Sequence, residues 1–396
     1  MRCHQLRWAL LGAALTLFGC ETPTPEPKHT INVPTSAWED YQARSQHWRS
    51  VDRDQIQAEM AAEGLDEPKP APKAHRNGFD PDQPITWYAS EEGQRIADII
   101  LSFQTPSGGW SKGTDMTKRP RQPAQAFGVE RKYVPTFDNN ATSTQIRALA
   151  KAYSATGEPR YREGYVKGVE LILEAQYPNG GWPQTFPLRG GYHDYITFND
   201  DAMINLMAVL SDIAKAEPPF EQAPEDLRVQ AARSMARGLD LIVAAQVVVD
   251  GKPTLWGAQH DPRTLEPRKA RAYEMVSLAT AESADLLEFL MQLENPPADI
   301  QAAVHHAVDW YRSNPLKGVR WDREAYRLVK DKDASPLWSR FAEIGTNRPL
   351  FGDRDNSVHY DIDEISQERR EGYAWYTNDP SDVLEQYQQW RQRYPR

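Results

Sequence analysis

The sequence predicts an all-α protein: an α/α toroid built of helical hairpins, with a three-hairpin core, long loops and a C-terminal helix, over residues 84–396. Three observations predict it. A phrase ending in Gly-Gly-Trp recurs about every 70 residues, each copy follows an apolar pattern of helical period, and short runs with strand periodicity are scarce.

The N-terminus comes first. A basic start, MRCHQLR, precedes the apolar run WALLGAALTLF, and Leu17, Phe18, Gly19 and Cys20 follow in lipobox order. The run is shorter than the roughly twenty residues a membrane helix needs, so residues 1–20 read as a lipoprotein export signal with lipidation at Cys20. The mature chain is expected outside the cytoplasm, at the outer membrane, held there by its lipid anchor alone and acting as a monomer. Residues 21–83 are Pro-rich and read as a largely flexible tether, within which 37–64 have the composition of a polar helix. Cys3 and Cys20 are the only cysteines, which excludes disulfides and thiolate metal sites from the mature domain. With 46 Lys and Arg against 56 Asp and Glu, the net charge of −10 argues against nucleic acid as a partner.

The repeat sets the elements that follow. QTPSGGW at 104–110 succeeds the helical pattern Ile96, Ile99, Ile100, Phe103, and QYPNGGW at 176–182 succeeds Val169, Leu171, Ile172, Ala175. A looser third copy opens at Gln246 after Leu239, Leu241, Ile242 and Ala245, and ends in Leu255-Trp256-Gly257. The glycine pairs read as helix stops in the left-handed cap conformation. A second phrase, TFDNNA at 136–141 and TFNDDA at 197–202, precedes an apolar helix in both units, where Asp and Asn are natural N-caps. In the third unit the matching place reads as 268–274, ahead of a helix over 275–290. Each unit is therefore an outer helix, a Gly-Gly-Trp loop and an inner helix, and the starts of the inner helices converge at one end of the toroid.

One cap per helix is enough, so three polar residues in a row at two helix starts exceed what capping requires. Asp138, Asn139, Asp200 and Asp201 form an oxygen-only set suited to a hard cation, calcium rather than zinc, in an open site completed by water or substrate oxygens. His305 and His306 are adjacent on a helix and diverge, whereas His193 and His359 lie nearer the polar loops and stay unassigned. Arg268, Arg271, Arg340, Arg348 and Arg354 supply forked guanidinium groups that match carboxylates, with surface salt bridges as the alternative for each. Trp110, Trp182 and Trp256 fit hairpin packing better than sugar stacking, and Tyr273, Tyr373, Trp375 and Tyr376 are open to either role. Calcium ligands and arginines at one mouth point to a carboxylated substrate such as a uronic-acid polymer. Two rivals stand beside an elimination enzyme: a glycoside hydrolase using two of Asp138, Asp200 and Asp201, and a lipoprotein that only captures acidic oligosaccharides.

The order QTPSGGWSK, TFDNNATSTQ, AQYPNGGWPQ, TFNDDAM, ARAYE, WSRFAEIGTNRPLFGDRD and ERREGYAWY resembles the polysaccharide lyase family 10 pectate lyases across 84–395. The resemblance implies an α/α toroid, calcium dependence and cleavage of α-1,4-polygalacturonate by β-elimination with an arginine base, giving unsaturated oligogalacturonides. By motif it implies Arg271 as the base and Asp138, Asp200 and Asn139 at the calcium site. It also implies Arg340, Arg354, Lys112 and Asp201 against the substrate, with Asn139 able to serve there too. The chain departs from the pattern at SKGTD, where a Pro is expected before Lys112, and at Lys269, where a small residue is expected. An arginine is ordinarily protonated, so Arg268, Lys269 and calcium are expected to lower the pKa of Arg271 by like-charge repulsion, with a strongly alkaline optimum.

Overall fold

A computed structural model describes residues 31–132 and 134–396; the predicted signal and Cys20 lie outside them. Ten α-helices are present among the described residues: α1 Thr35–Glu63, α2 Glu91–Ser102, α3 Ser143–Thr156, α4 Pro159–Ala175, α5 Ala202–Lys215, α6 Glu225–Ala245, α7 Thr280–Gln292, α8 Ala298–Ser313, α9 Gln367–Glu371 and α10 Asp379–Arg393. Their apolar stripes explain the layering. Helices α2, α4, α6 and α8 touch in succession as an outer row, α3, α5 and α7 as an inner one, and α10 packs on α7 and α8. This is the helical toroid that the repeat predicts.

The hydrogen bonds show why the repeated residues are needed. Each repeat glutamine donates once to its own loop and once to the next outer helix: Gln104 to the Gly108 and Gly164 carbonyls, Gln176 to Gly180 and Ser234, and Gln246 to Thr254 and Ala303. One side chain thus couples adjacent units while satisfying buried carbonyls. The indole Nε1 atoms of Trp110, Trp182 and Trp256 donate to the Ile100, Ile172 and Ile242 carbonyls near the ends of their own outer helices, at 2.7–2.8 Å. All three rings are fully buried, so they pack the hairpins and do not meet solvent. A fourth unit lacks the phrase yet repeats the contact, with Trp338 donating to the Tyr311 carbonyl of α8 at 3.2 Å.

Three expectations change. The glycine pairs do not cap helices, for α2 and α4 end at Ser102 and Ala175, several residues earlier. Gly108 and Gly180 instead sit at φ +118° and +102° against the next outer helix, where a Cβ on Gly180 would fall 2.1 Å from the Arg237 carbonyl oxygen. The third inner helix begins at Thr280, and the backbone fixes its true repeat register. The carbonyls of Trp110, Trp182 and Trp256 accept from the amides of Thr136, Thr197 and Ala279, so the third counterpart of the acidic phrase starts at Ala279 and contains Glu282. Residues 268–274 form a loop ahead of it.

The segment read as a flexible tether is, from Thr35 onward, part of the body. Trp38 and Tyr41 on α1 and Phe79 beyond it join the main hydrophobic core. Tyr41 donates to the Ala175 carbonyl, and the Asp52 carboxylate accepts from the Ser107 amide and hydroxyl at 2.8 and 2.7 Å. The polar composition of α1 concealed a narrow apolar stripe that suffices for docking.

A four-stranded sheet completes the site end. Leu278–Ala279 pairs with Phe341–Ala342, which pairs with Pro349–Gly352, which pairs with Val358–His359, all antiparallel. A second core of Tyr273, Met275, Phe341, Phe351 and Trp375 packs around it. This sheet fixes the loop bearing Arg271 relative to the inner helices.

Candidate active site

The two acidic phrases do not cap their helices. Each folds into a 3-10 turn, Asp138–Asn140 and Asn199–Asp201, with no side-chain cap bond and with Asn139, Asn140, Asp200 and Asp201 at φ +51° to +60°. Asn and Asp tolerate this left-handed conformation better than other non-glycine residues. The turns place Asp138, Asn139, Asn199 and Asp200 in the wall of a cavity of about 650 Å³, lined also by Lys112, Arg271 and Glu274. They are mirror copies of one device: Asn139 donates to Asp138 at 2.7 Å, and Asn199 donates to Asp200 at 2.7 Å.

Asp138 and Asp200 face each other. Burial, then the neighbouring Asp138 charge and a hydrogen bond with it, push the Asp200 carboxyl up to about 7. Two carboxylates this close repel unless a proton or a cation lies between them. On the other side of Asp138 stands Lys112, whose ammonium bonds Asp138 Oδ2 and lies 3.8 Å from Glu130. Burial opposes the Lys112 charge, but Asp138 outweighs it and holds the ammonium above its ordinary range.

Arg271 occupies a tight turn closed by the Glu274 amide donating to the Arg271 carbonyl at 2.9 Å. Its side chain is 39% exposed whereas that of its partner Glu274 is 7% exposed, so the carboxylate holds the guanidinium from the protein side. Tyr373 donates to the same carboxylate at 2.9 Å, and the Tyr273 ring lies 5.2 Å from the guanidinium carbon. Burial disfavours the charge, but the Glu274 hydrogen bond and charge prevail and raise the Arg271 pKa. The expected like-charge lowering by its neighbours is absent, because Arg268 pairs with Asp261 at 3.0 Å and Lys269 donates to Asn356. Both cations are drawn outward by surface partners.

The remaining predicted residues lie around this centre. Arg340 is behind the cavity wall, ion-paired with Glu282, donating to Asn199 Oδ1 at 3.3 Å and 4.8 Å from the Tyr373 ring. It supports the second acidic turn from beneath. Arg354 is 61% exposed and held by Glu368 at 2.9 Å; it borders the site through Tyr273, 5.5 Å from that ring. Asp201 turns toward Asp285, away from the cavity; burial and then Asp201 push the Asp285 carboxyl up to about 8. His193 lines the cavity, whereas His359 hydrogen-bonds Ser357 outside it. Arg348 stacks on Tyr360, 3.6 Å from the ring centre. Glu274 and Glu282, the buried carboxylates that hold Arg271 and Arg340, were missed by sequence reasoning; the corrected register would have pointed to Glu282.

Among the described residues no group of three His, Cys, Asp or Glu side chains is arranged to enclose a metal ion. The donors present still fit a hard divalent cation: two opposed carboxylates with amide oxygens beside them and no sulfur. A cation there would hold positions open for water or a substrate carboxylate.

A family model described as pectic acid lyase matches residues 104–384. Among solved structures, the chain is similar to a Family 10 polysaccharide lyase from Cellvibrio cellulosa and to a mutant of that lyase in complex with trigalacturonic acid. Identity is 34% and the TM-score 0.69 in each case, over 77% of this chain and 94% and 95% of those chains respectively. No curated protein matches the chain.

Proposed function

The chain belongs to the pectic acid lyase family, and we propose that it cleaves α-1,4-polygalacturonate by calcium-dependent β-elimination, with Arg271 as the base. The observation that carries this reading is the shared cavity: Arg271 and the opposed Asp138 and Asp200 line one cleft from separate loops. A uronate carboxylate between them would meet cationic groups on several sides.

In the reaction, Arg271 takes the proton on the carbon bearing the carboxylate. That C–H pair becomes a carbon–carbon double bond, the glycosidic C–O pair leaves with the oxygen, and the oxygen takes a proton from water. Asp138 and Asp200, with Asn139 beside them, would hold calcium, which when bound would neutralise the substrate carboxylate and so acidify the adjacent proton. Lys112 and Arg354 orient the polymer by its acid groups, and Glu274 with Tyr373 fixes the Arg271 side chain. Only the deprotonated fraction of Arg271 accepts a proton, and Glu274 keeps that fraction small, so the rate rises with pH through the alkaline range. The same proposal has the mature chain anchored through a lipid on Cys20 at the outer membrane and acting there as a monomer.

The test is product chemistry. Incubation with polygalacturonate and calcium is expected to give the ultraviolet absorbance of an unsaturated uronide, and a chelator is expected to abolish it. Saturated reducing ends formed in the presence of chelator would contradict both the elimination and the metal.

A further inference from the structure

A second cavity, of about 370 Å³, lies beside the cleft, and its lining includes Arg49, Arg53, Arg131 and Arg189 with Asp52 as its one acidic residue. Arg131 lines both cavities and so stands between them. Arg49 and Arg53 stand on α1, which precedes the segment matched by the family model.

The arginines of this pocket are partly paired, Arg53 with Asp54 at 2.9 Å on the exposed side of α1. Asp52 is engaged by the Ser107 amide and hydroxyl, and Arg49 has no hydrogen-bond or ion-pair partner among the described residues. Among the described residues the buried Arg189 Nε has no acceptor and its Nη2 donates to the Val134 carbonyl; burial lowers its pKa, against the attraction of Asp52 and with a smaller repulsion from Arg49. Among the described residues Arg131 has Glu67 at 3.5 Å and the Pro68 carbonyl as partners. Several guanidinium forks around a hollow, in a chain of net charge −10, favour an anion with planar oxygens. The walls also include Ile56, Phe127 and Val134, which suit the carbon face of a sugar ring.

We propose that this pocket is a distal subsite, added by α1, that binds a uronate carboxylate of the same polymer whose scissile bond lies in the cleft. The inference rests on the polygalacturonate reading above. It makes affinity depend on substrate length: a long chain reaches both cavities, and a short oligomer occupies the cleft alone.

The experiment compares the affinities of the full-length mature protein for trigalacturonate and for polygalacturonate, by calorimetry with chelator present to stop cleavage. The double variant Arg49→Ala/Arg53→Ala is expected to weaken polymer binding about tenfold, roughly 1.4 kcal/mol, and to leave trimer binding unchanged. A control with the same charge change on α6, Arg228→Ala/Arg233→Ala, is expected to alter neither. Unchanged polymer affinity, equal weakening for both lengths, or equal weakening by the control would overturn the subsite. Failure of the lyase reading shows separately, as a wild-type protein that binds the polymer and releases no unsaturated product when calcium is supplied.

Discussion

Asp200 ties the site's electrostatics to measurable behaviour. With its carboxyl at about 7 in the folded protein and near 4 when unfolded, the native state holds a proton that the unfolded state releases across that window. Without a cation, this group's contribution to stability therefore falls as pH rises from about 4 to about 7. On the proposed reading a calcium ion would take the place of the proton, so adding it is expected to raise the melting temperature at pH 8 and to have little effect at pH 5; equal shifts at both would contradict the paired-carboxylate site. Glu282 gives a second residue-scale prediction. It is nearly fully buried against Arg340, so Glu282→Ala leaves an uncompensated buried cation, and a loss of about 3 kcal/mol is expected in urea denaturation. A loss under about 1 kcal/mol would contradict the pairing. Asp138 and Asp200 were legible in the sequence because they stand in a repeated phrase. Glu274 closes the motif ARAYE, but its grip on Arg271 depends on a local turn that no periodicity announces.

Loop geometry, more than helix propensity, makes these elements repeat. Gln104, Gln176 and Gln246 each join two units, and the Gly-Gly backbone fits only by nearly touching the next outer helix. Gly180→Ala places a Cβ against the Arg237 carbonyl at a φ that alanine disfavours, so it is expected to destabilise the protein by more than about 1 kcal/mol. Gly157→Ala at the end of α3, with positive φ but open space around it, is expected to cost less; denaturant midpoints of the two variants decide. The outer and inner helices were legible from apolar spacing. The start of α7 was not, because the strand pair Leu278–Ala279 with Phe341–Ala342 claims residues whose apolar pattern continues into the helix. Trp338 shows the same effect, since its contact repeats while its sequence phrase does not.

At the scale of the molecule, α1 changes the account most. It braces the loop that carries Lys112 and Arg131: Asp52 holds Ser107, and Glu59 accepts from Arg121 at 2.5 Å and from the Ala124 amide at 2.8 Å. Composition alone made this stretch a tether, because a helix that buries one narrow stripe against a finished body remains polar overall. Removing residues 1–64 is expected to lower the melting temperature by several degrees and to uncover Tyr177 and Phe186, which Tyr41 packs against. An unchanged melting temperature would restore the tether reading. The central claim, elimination at Arg271 within a cleft that binds by carboxylates, is tested most directly by Arg271→Ala with cleavage and binding measured on one sample. The account predicts loss of unsaturated product by about a thousandfold or more, with polygalacturonate affinity within about threefold of wild type. Persistent cleavage, or loss of cleavage and binding together, would contradict it.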